Sequence, residues 1–301
     1  MSGTKFITIE GSLDVIGIYN FNRSTKNPEN PIYKNHKEAK KDLNGIDYTS
    51  SRCLRHEMFK DIQPIQPTDA EFADSFIDFV ASEAGLLRGF VAMDVGFKRA
   101  SPIHFADAYT QSIDGKSKIF YDQGSSSKPK ESDKKNKKGE DIADNSMFSQ
   151  DNSGPRKQTL KAAINIKELQ FIHLDKKDDN FRVVSLDGED LLILKLNQFF
   201  EINGVKESVE VKEYDDISAV LKTKRRGILL SQNQIKLLIK KVVFRIANIN
   251  GAKAGARITT DKKSLDIVFS DGIEGSVAAN FSDFSSKLEK SLIHNFFESN
   301  Q

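Results

Sequence analysis

Apolar and polar residues alternate at the start of the chain. Lys5 to Phe21 (KFITIEGSLDVIGIYNF) is β-branched and aromatic with period-two stretches. That pattern predicts one long or bulged strand, with Gly11 and Gly17 as points of bulging or close backbone approach. The alternation then stops. Asn22 to Gly45 holds two prolines, five asparagines and many lysines, which predicts an irregular basic excursion too long for a hairpin turn. Helical spacing follows. Ser50 to Lys60 (SSRCLRHEMFK) predicts a short helix capped by serine. Thr68 and Glu71 have capping-box spacing ahead of Phe72, Phe76, Phe79 and Val80, predicting a second helix that ends near Gly85. Leu86 to Phe97 (LLRGFVAMDVGF) predicts a buried strand.

Asp122 to Arg156 has almost no apolar residues and is rich in Ser, Lys, Asp and Gly, so it cannot form a core. Strand-like segments flank it, Ala108 to Tyr121 and Gln158 to Leu174, which predicts a β-hairpin arm with a mobile tip. In the last third, Phe181 to Leu186 and Leu191 to Leu196 are short strand candidates. Ser231 and Gln234 form a capping box for a helix with an apolar stripe of Ile235, Leu238, Ile239, Val242 and Ile246, ended by Asn250-Gly251. Ser264 to Phe281 predicts a hairpin around Asp271-Gly272, and a C-terminal helix follows with Phe284, Leu288, Leu292 and Phe296 on one face. No internal repeat is visible. Helices interleaved with antiparallel hairpins predict an α+β fold, an RRM- or ferredoxin-like core sheet with helical and β-hairpin insertions, and not a doubly wound sheet. The expected organisation is a single domain over 1–301, with insertions at about 22–49 and 98–160.

Composition narrows the function classes. The chain has 301 residues, 38% of them hydrophobic and 29% charged, with a net charge of +2 and a pI of about 8.4. A polyanion partner would therefore have to be met by local clusters of Lys and Arg. One cysteine, Cys53, excludes an intramolecular disulfide and fits a reducing compartment. No apolar run approaches about 18 residues, and no signal pattern opens the chain. The expectation is a cytoplasmic protein without membrane contact. Among the five histidines no two have metal-ligand spacing, and neither a phosphate-binding glycine loop nor a nucleophile elbow is present. No catalytic residue, metal or cofactor is expected.

Basic residues instead gather beside glycine, serine or aromatic residues in predicted loops. The clusters are Asn20, Asn22, Arg23 and Lys26; Ser50, Ser51, Arg52 and Arg55; Lys98, Arg99, Ser101, Pro102 and His104; Lys222, Lys224, Arg225 and Arg226 before Gly227; and GAKAGAR, with Lys253 and Arg257. At Ser50–Arg55 the free N–H groups of a helix start favour a phosphate, and arginine adds a bidentate fork. Each cluster alone could be a solvated patch. Several on loops favour the sugar–phosphate backbone of a long polyanion, bound without sequence preference and with salt sensitivity.

The order of these motifs resembles a known family. A strand, then the Asn-rich basic loop FNRSTKNPENPIYK, then SSRCLR at a helix start, is similar to the backbone subunits (Cas-seven type) of CRISPR Cascade complexes in the RAMP superfamily. Asn22-Arg23 and Ser50-Ser51-Arg52-Cys53-Leu54-Arg55 match the family's loop and helix-start elements. The insertion after FKRASPIHFADAY stands where relatives carry a finger or thumb, and GAKAGAR resembles the glycine-containing loop near their C-terminus. The layout covers the whole chain and the motif identity about thirty residues; the compact size is most similar to a minimal type I-F or a type IV system.

The resemblance implies a non-catalytic RNA-binding protein that polymerises head-to-tail along a CRISPR guide RNA and presents it for target pairing. It implies that Asn22, Arg23, Ser50, Ser51, Arg52 and Arg55 hold phosphates. Lys98 to His104, with Lys157, Gln158 and Lys161, would form the base of the arm, and Lys253 and Arg257 would line the palm. The implied partners are guide RNA, copies of the chain itself, the Cas-five and Cas-six type subunits of Cascade, and a target nucleic acid expected to be DNA. Two alternatives stand beside this: a type III-like metal-dependent ribonuclease using Asp42 or Asp47, and another single-strand RNA-binding RRM-like module. Deleting Ser125 to Asp151 is expected to leave the thermal unfolding transition in place, because that stretch has so little to bury; loss of cooperative melting would show that it belongs to the core.

Overall fold

The computed structural model describes residues 3–17, 19, 21–24, 35–62, 72–92, 97–111, 119–125, 147–177, 183–185, 188–216, 223–253, 256–271 and 276–297. In chain order the elements begin β1 (Phe6–Ile16), β2 (Phe21–Ser24), β3 (Asn35–Ala39), β4 (Tyr48–Thr49), α1 (Ser51–Met58), α2 (Phe72–Val80), α3 (Glu83–Arg88), β5 (Phe90–Ala92) and β6 (Phe97–Arg99). They continue with β7 (Ile103–Phe105), β8 (Ala108–Tyr109), β9 (Ile119–Ser125), β10 (Met147–Ser153), β11 (Arg156–Asn165), α4 (Ile166–Gln170), β12 (Phe171–His173), β13 (Asp175–Lys177) and β14 (Val183–Ser185). The last are α5 (Glu189–Ile202), β15 (Glu210–Asp216), β16 (Thr223–Leu229), α6 (Gln232–Ala247), β17 (Asn250–Lys253), β18 (Ala256–Ser270), β19 (Ser276–Asn280) and α7 (Phe284–Lys290).

The main sheet runs β17-β18-β1-β11-β7, with β19 pairing the second half of β18. β1 is central, antiparallel to β11 on one side and to β18 on the other. The register against β18 shifts between Glu10 and Ser12, where Gly11 alone faces residues 262–265; the extra residues bulge from β18, and Gly11 is a point of close backbone approach, the second of the two roles the sequence suggests. A Cβ there would come within 2.9 Å of the Leu265 side chain. With α1 to α3 between β1 and β7, and α6 between β11 and β18, the sheet has the split βαβ arrangement of RRM- and ferredoxin-like folds. The expected α+β class is the observed one. One face buries Ile7, Ile9, Leu13 and Val15 of β1 with Leu160, Ile164, Ile258 and Ile267. α6 covers it with Ile235, Leu238, Ile239, Val242 and Ile246, the stripe read from the sequence, and α1 adds Leu54 and Met58. Each fully buried aliphatic side chain contributes about 1.5–3 kcal/mol. Ser231 and Gln234 form the predicted capping box.

Several segments differ from the local pattern. The basic excursion contains β2 and β3, an antiparallel pair extended by β10 and β9 into a four-stranded sheet. The insertion likewise begins and ends in the β9–β10 ladder, which apolar content could not reveal because cross-strand hydrogen bonds hold it. Its tip, like the Thr68–Glu71 capping box, lies outside the described residues. Leu86 to Phe97 is not one strand: α3 takes Leu86 and Leu87, and β5 turns back as a hairpin with β6. Leu191 to Leu196 is helical, within α5; its run of leucines has no period that separates a buried strand from a helix. Asn250-Gly251 does not end α6, which stops at Ala247, but opens β17. Leu292 lies beyond α7 and is 63% exposed.

Beneath the arm sits a buried polar network. Arg156, the first residue of β11, donates through Nε and Nη2 to the Asp47 carboxylate, each at 2.7 Å. Its Nη1 donates to the Gly17 carbonyl at 2.8 Å. Thr110 Oγ1 also donates to Asp47 (2.9 Å), and Gln158 links Thr110 to Thr49. Burial lowers the Arg156 pKa and the Asp47 charge opposes that shift. The network fastens the end of β1, the segment before α1 and the arm root to one another. Removing one partner of a buried ion pair leaves an uncompensated charge. Asp47→Ala is expected to destabilise the fold by about 3 kcal/mol, read as an earlier midpoint in urea unfolding.

Candidate nucleic-acid interface

The second and third basic clusters meet, although about fifty residues separate them. Ser50 is the N-cap of α1, its hydroxyl accepting from the Cys53 amide. This exposes Arg52 on the first turn and leaves Arg55 half-buried one turn on. Arg55 Nη2 donates to the carbonyl of Ile103 in β7 (3.1 Å). Ser51, Arg52, Arg55, Ile103, His104 and Phe105 thus line one cleft of about 270 Å³. Among the described residues no carboxylate pairs with Arg52 or Arg55. Burial, and after it the charge of Arg88, lowers the Arg55 pKa from the ordinary guanidinium value.

Two acids stand at the edge of this cleft. The Ser51 amide donates to Asp107 Oδ1 at 2.7 Å, so a carboxylate already occupies part of the helix start that the sequence leaves open for a phosphate. His104 Nε2 lies 3.2 Å from Glu168 Oε2. An anion entering this cleft would meet mainly the two guanidinium groups, whose forked donors match a phosphate.

The remaining expected residues are spread. Lys157 and Lys161 are exposed on the solvent face of the main sheet, where the β1–β11 register places them opposite Asp14 and Glu10. Lys157 pairs with Asp261 at 2.9 Å and Asp14 at 3.9 Å, and Lys161 with Glu10 at 3.5 Å. Their charge is largely compensated locally. Arg257 is exposed on β18, opposite Ile16. His104 pairs through Ala163 to Thr8, eight residues from Ile16 along β1, so Arg257 lies roughly 26 Å along the sheet from the cleft. Arg225 and Arg226 belong to the separate β12-β16-β15 sheet, and Arg226 is held by a forked ion pair with Glu189. Asn20 lies outside the described residues, as do the side chains of Asn22, Arg23, Lys98 and Lys253.

Three expectations are corrected. Arg99 is buried, at 9% exposure, and donates to the backbone carbonyls of Leu86, Phe171, Glu168 and Leu169. Desolvation pushes its pKa down to about 10. It staples α3, α4 and β12 and has no surface to offer a strand. Gln158 is buried at 1% exposure in the network beneath the arm. The Ser101 hydroxyl is spent on carbonyls, donating at 3.1 Å from both Leu87 and Ile103. Each belongs to a basic stretch of the sequence, and only packing sets it apart.

Sequence reasoning missed three residues that shape the site. Arg88 ends α3 with no basic neighbour to mark it, and Asp107 carries no motif. Glu57 is a third: its buried carboxylate accepts from Tyr19 and pairs with Lys60 at 3.1 Å, while Lys60 also donates to the Asn250 carbonyl. Gly251 packs so close that a Cβ would stand 2.0 Å from the Tyr19 hydroxyl, which fixes α1 against the GAKAGAR hairpin. Exposed aromatics are few among the described residues: Phe6 (44%) on β1, Tyr109 (39%) on β8 and Phe244 (48%) on α6, so strands, by which an RRM sheet stacks bases, carry two of them.

Comparison with known proteins bears on this geometry. No curated protein matches the chain in sequence. Among solved structures the chain is similar to a chain of a Csm3-Csm4 subcomplex in the type III-A CRISPR-Cas interference complex. The identity is 9%, 96% of this chain and 98% of that one are covered, and the TM-score is 0.35. It is also similar to a chain of a CRISPR RNA-guided surveillance complex, pre-nicking, at 10% identity, with 98% and 84% covered and a TM-score of 0.37. The model of the type I-Fv CRISPR-associated protein family Cas7fv-like matches residues 14–283, from the central strand β1 to the start of α7. The chain therefore belongs to the Cas7fv-like family of type I-Fv CRISPR-associated proteins.

Proposed function

We propose that the chain is a guide-RNA-binding backbone subunit of a CRISPR interference complex, gripping the RNA by its phosphates and stacking head-to-tail along it. The observation that carries this is the cleft between α1 and β7, lined by Arg52 and Arg55, to which no carboxylate bonds among the described residues. Guanidinium groups with no carboxylate bonded to them in a concave site suit a polyanion's phosphates, and such contacts carry no base preference. The family is the second support. Arg257, exposed at the far end of the same sheet, would meet the strand farther along its path, and the arm at β9 and β10 would reach over it. Base pairing would supply the sequence specificity, by analogy with other guide-RNA effectors. Other Cascade subunits of the Cas-five and Cas-six types and a DNA target complete the proposed assembly in the cytoplasm.

We assign the subunit no chemistry of its own. Asp47 is buried against Arg156 and Thr110, and one oxygen of Asp42 accepts the backbone amides of Asn44 and Ile46 in a local turn. Neither arrangement favours a metal-dependent ribonuclease.

Replacing Arg52 and Arg55 together by alanine is expected to weaken single-stranded RNA binding about equally for all sequences. The salt slope should flatten by roughly one for each lost phosphate contact, measured by fluorescence anisotropy across ionic strengths. A loss confined to one RNA sequence would contradict backbone recognition. Head-to-tail stacking predicts that complex mass, followed by sedimentation, rises in regular steps as the RNA is lengthened. A single protein per RNA whatever its length would exclude polymerisation.

A further inference from the structure

Arg88 does not appear in any basic cluster of the sequence, yet the fold brings the end of α3 up to the strand on which Arg55 docks, and the Arg88 charge acts on Arg55. α3 ends at Arg88, and Gly89 follows at φ +73°, a conformation that favours glycine. A Cβ on Gly89 would lie 2.6 Å from the Ser101 amide and 2.8 Å from the Arg99 carbonyl, so the chain here is pressed against the segment that leads into β7. Ser101 completes the join: its hydroxyl reaches the carbonyl of Leu87, next to Arg88, and that of Ile103. Ile103 is also where Arg55 docks. Ser101 thereby brings the end of α3 and the second turn of α1 onto one short strand. Each element contributes an arginine, and both are half-buried.

Two like charges held together in a folded protein repel, and the repulsion is relieved when an anion sits between them. Among the described residues no carboxylate bonds to either arginine, while the nearest acids are engaged elsewhere, Asp107 with the Ser51 amide and Glu168 with His104. We infer that Arg55 and Arg88 form one guanidinium pair that takes a phosphate group of the bound strand, with Ser101 as the residue that positions it. The inference rests on the guide-RNA reading for the identity of the strand, but the anion site itself does not depend on that reading. It also changes how the site works. Asp107 already fills the helix start, so the phosphate is held by side-chain forks and not by backbone amides.

The test separates a binding pair from a structural one. Protein freed of nucleic acid is compared as wild type, Arg88→Gln and Arg88→Lys. Arg88→Gln is expected to bind a labelled single-stranded RNA about tenfold more weakly, with a salt slope lower by about one. Its melting temperature at low salt is expected to stay level or rise, because a repulsive charge is gone. Arg88→Lys, which keeps the charge but not the fork, should fall between. Inorganic pyrophosphate should raise the melting temperature of the wild type more than that of Arg88→Gln. Unchanged RNA affinity and an unchanged pyrophosphate response overturn the inference. A marked drop in melting temperature of Arg88→Gln without ligand overturns it too, since that identifies a structural arginine. An Arg88-dependent pyrophosphate response in a protein that does not bind RNA leaves the pair standing and removes the guide-RNA reading.

Discussion

β1 is paired along both edges, and its register decides where the charged side chains of the main sheet stand. Because successive residues of a strand face opposite sides, the buried set Ile7, Ile9, Leu13 and Val15 forces Glu10 and Asp14 outward. The antiparallel match with β11 then sets Lys161 and Lys157 opposite them, and β18 brings Arg257 to the far end. A slip of one residue would bury these charges and expose the core. The β18 bulge opposite Gly11 lets one strand satisfy two partners whose own patterns are out of step. The Asp47–Arg156 pair closes the end of this strand and ties the arm root to it.

Electrostatics divides the surface that the sheet creates. The open face carries cross-strand ion pairs, so its lysines are neutralised where they stand. Exposed pairs of this kind are worth at most about 1 kcal/mol each and hold little free charge for a ligand. Beside the edge strand β7 the balance differs. Arg52 and Arg55 come from α1 and Arg88 from the end of α3, while the two nearby acids are occupied by a backbone amide and by His104. A chain with a net charge of +2 thus gathers positive charge in and beside a small concave region, with no carboxylate bonded to these arginines among the described residues.

The basic loops were a mixed guide to the site. Ser50 to Arg55 stood out because a serine cap followed by arginines has a local physical signature, and the cap is formed as read. His104 joined it. Arg99 and Arg226 looked the same in sequence as Arg52, yet one is buried on four carbonyls and the other paired with Glu189. Nothing local distinguishes them, because the deciding partners lie 13 to 72 residues away for Arg99 and 37 for Arg226. Arg88 was silent for the converse reason: its partner Arg55 is remote in sequence and its neighbours are apolar.

The chain's own pattern determined the long first strand, the serine-capped helix α1, the striped and boxed helix α6 and the hairpin of β18 and β19. Each rests on periodicity, capping or turn chemistry that acts over a few residues. It determined the α+β class too, since these elements alternate. Tertiary structure alone decided that α5 is helical and that residues after Asn22 pair as strands. It alone decided which arginines are spent inside the molecule and which remain for a partner. Long-range hydrogen bonds and ion pairs fix those outcomes, and they exist only once the sheet has assembled.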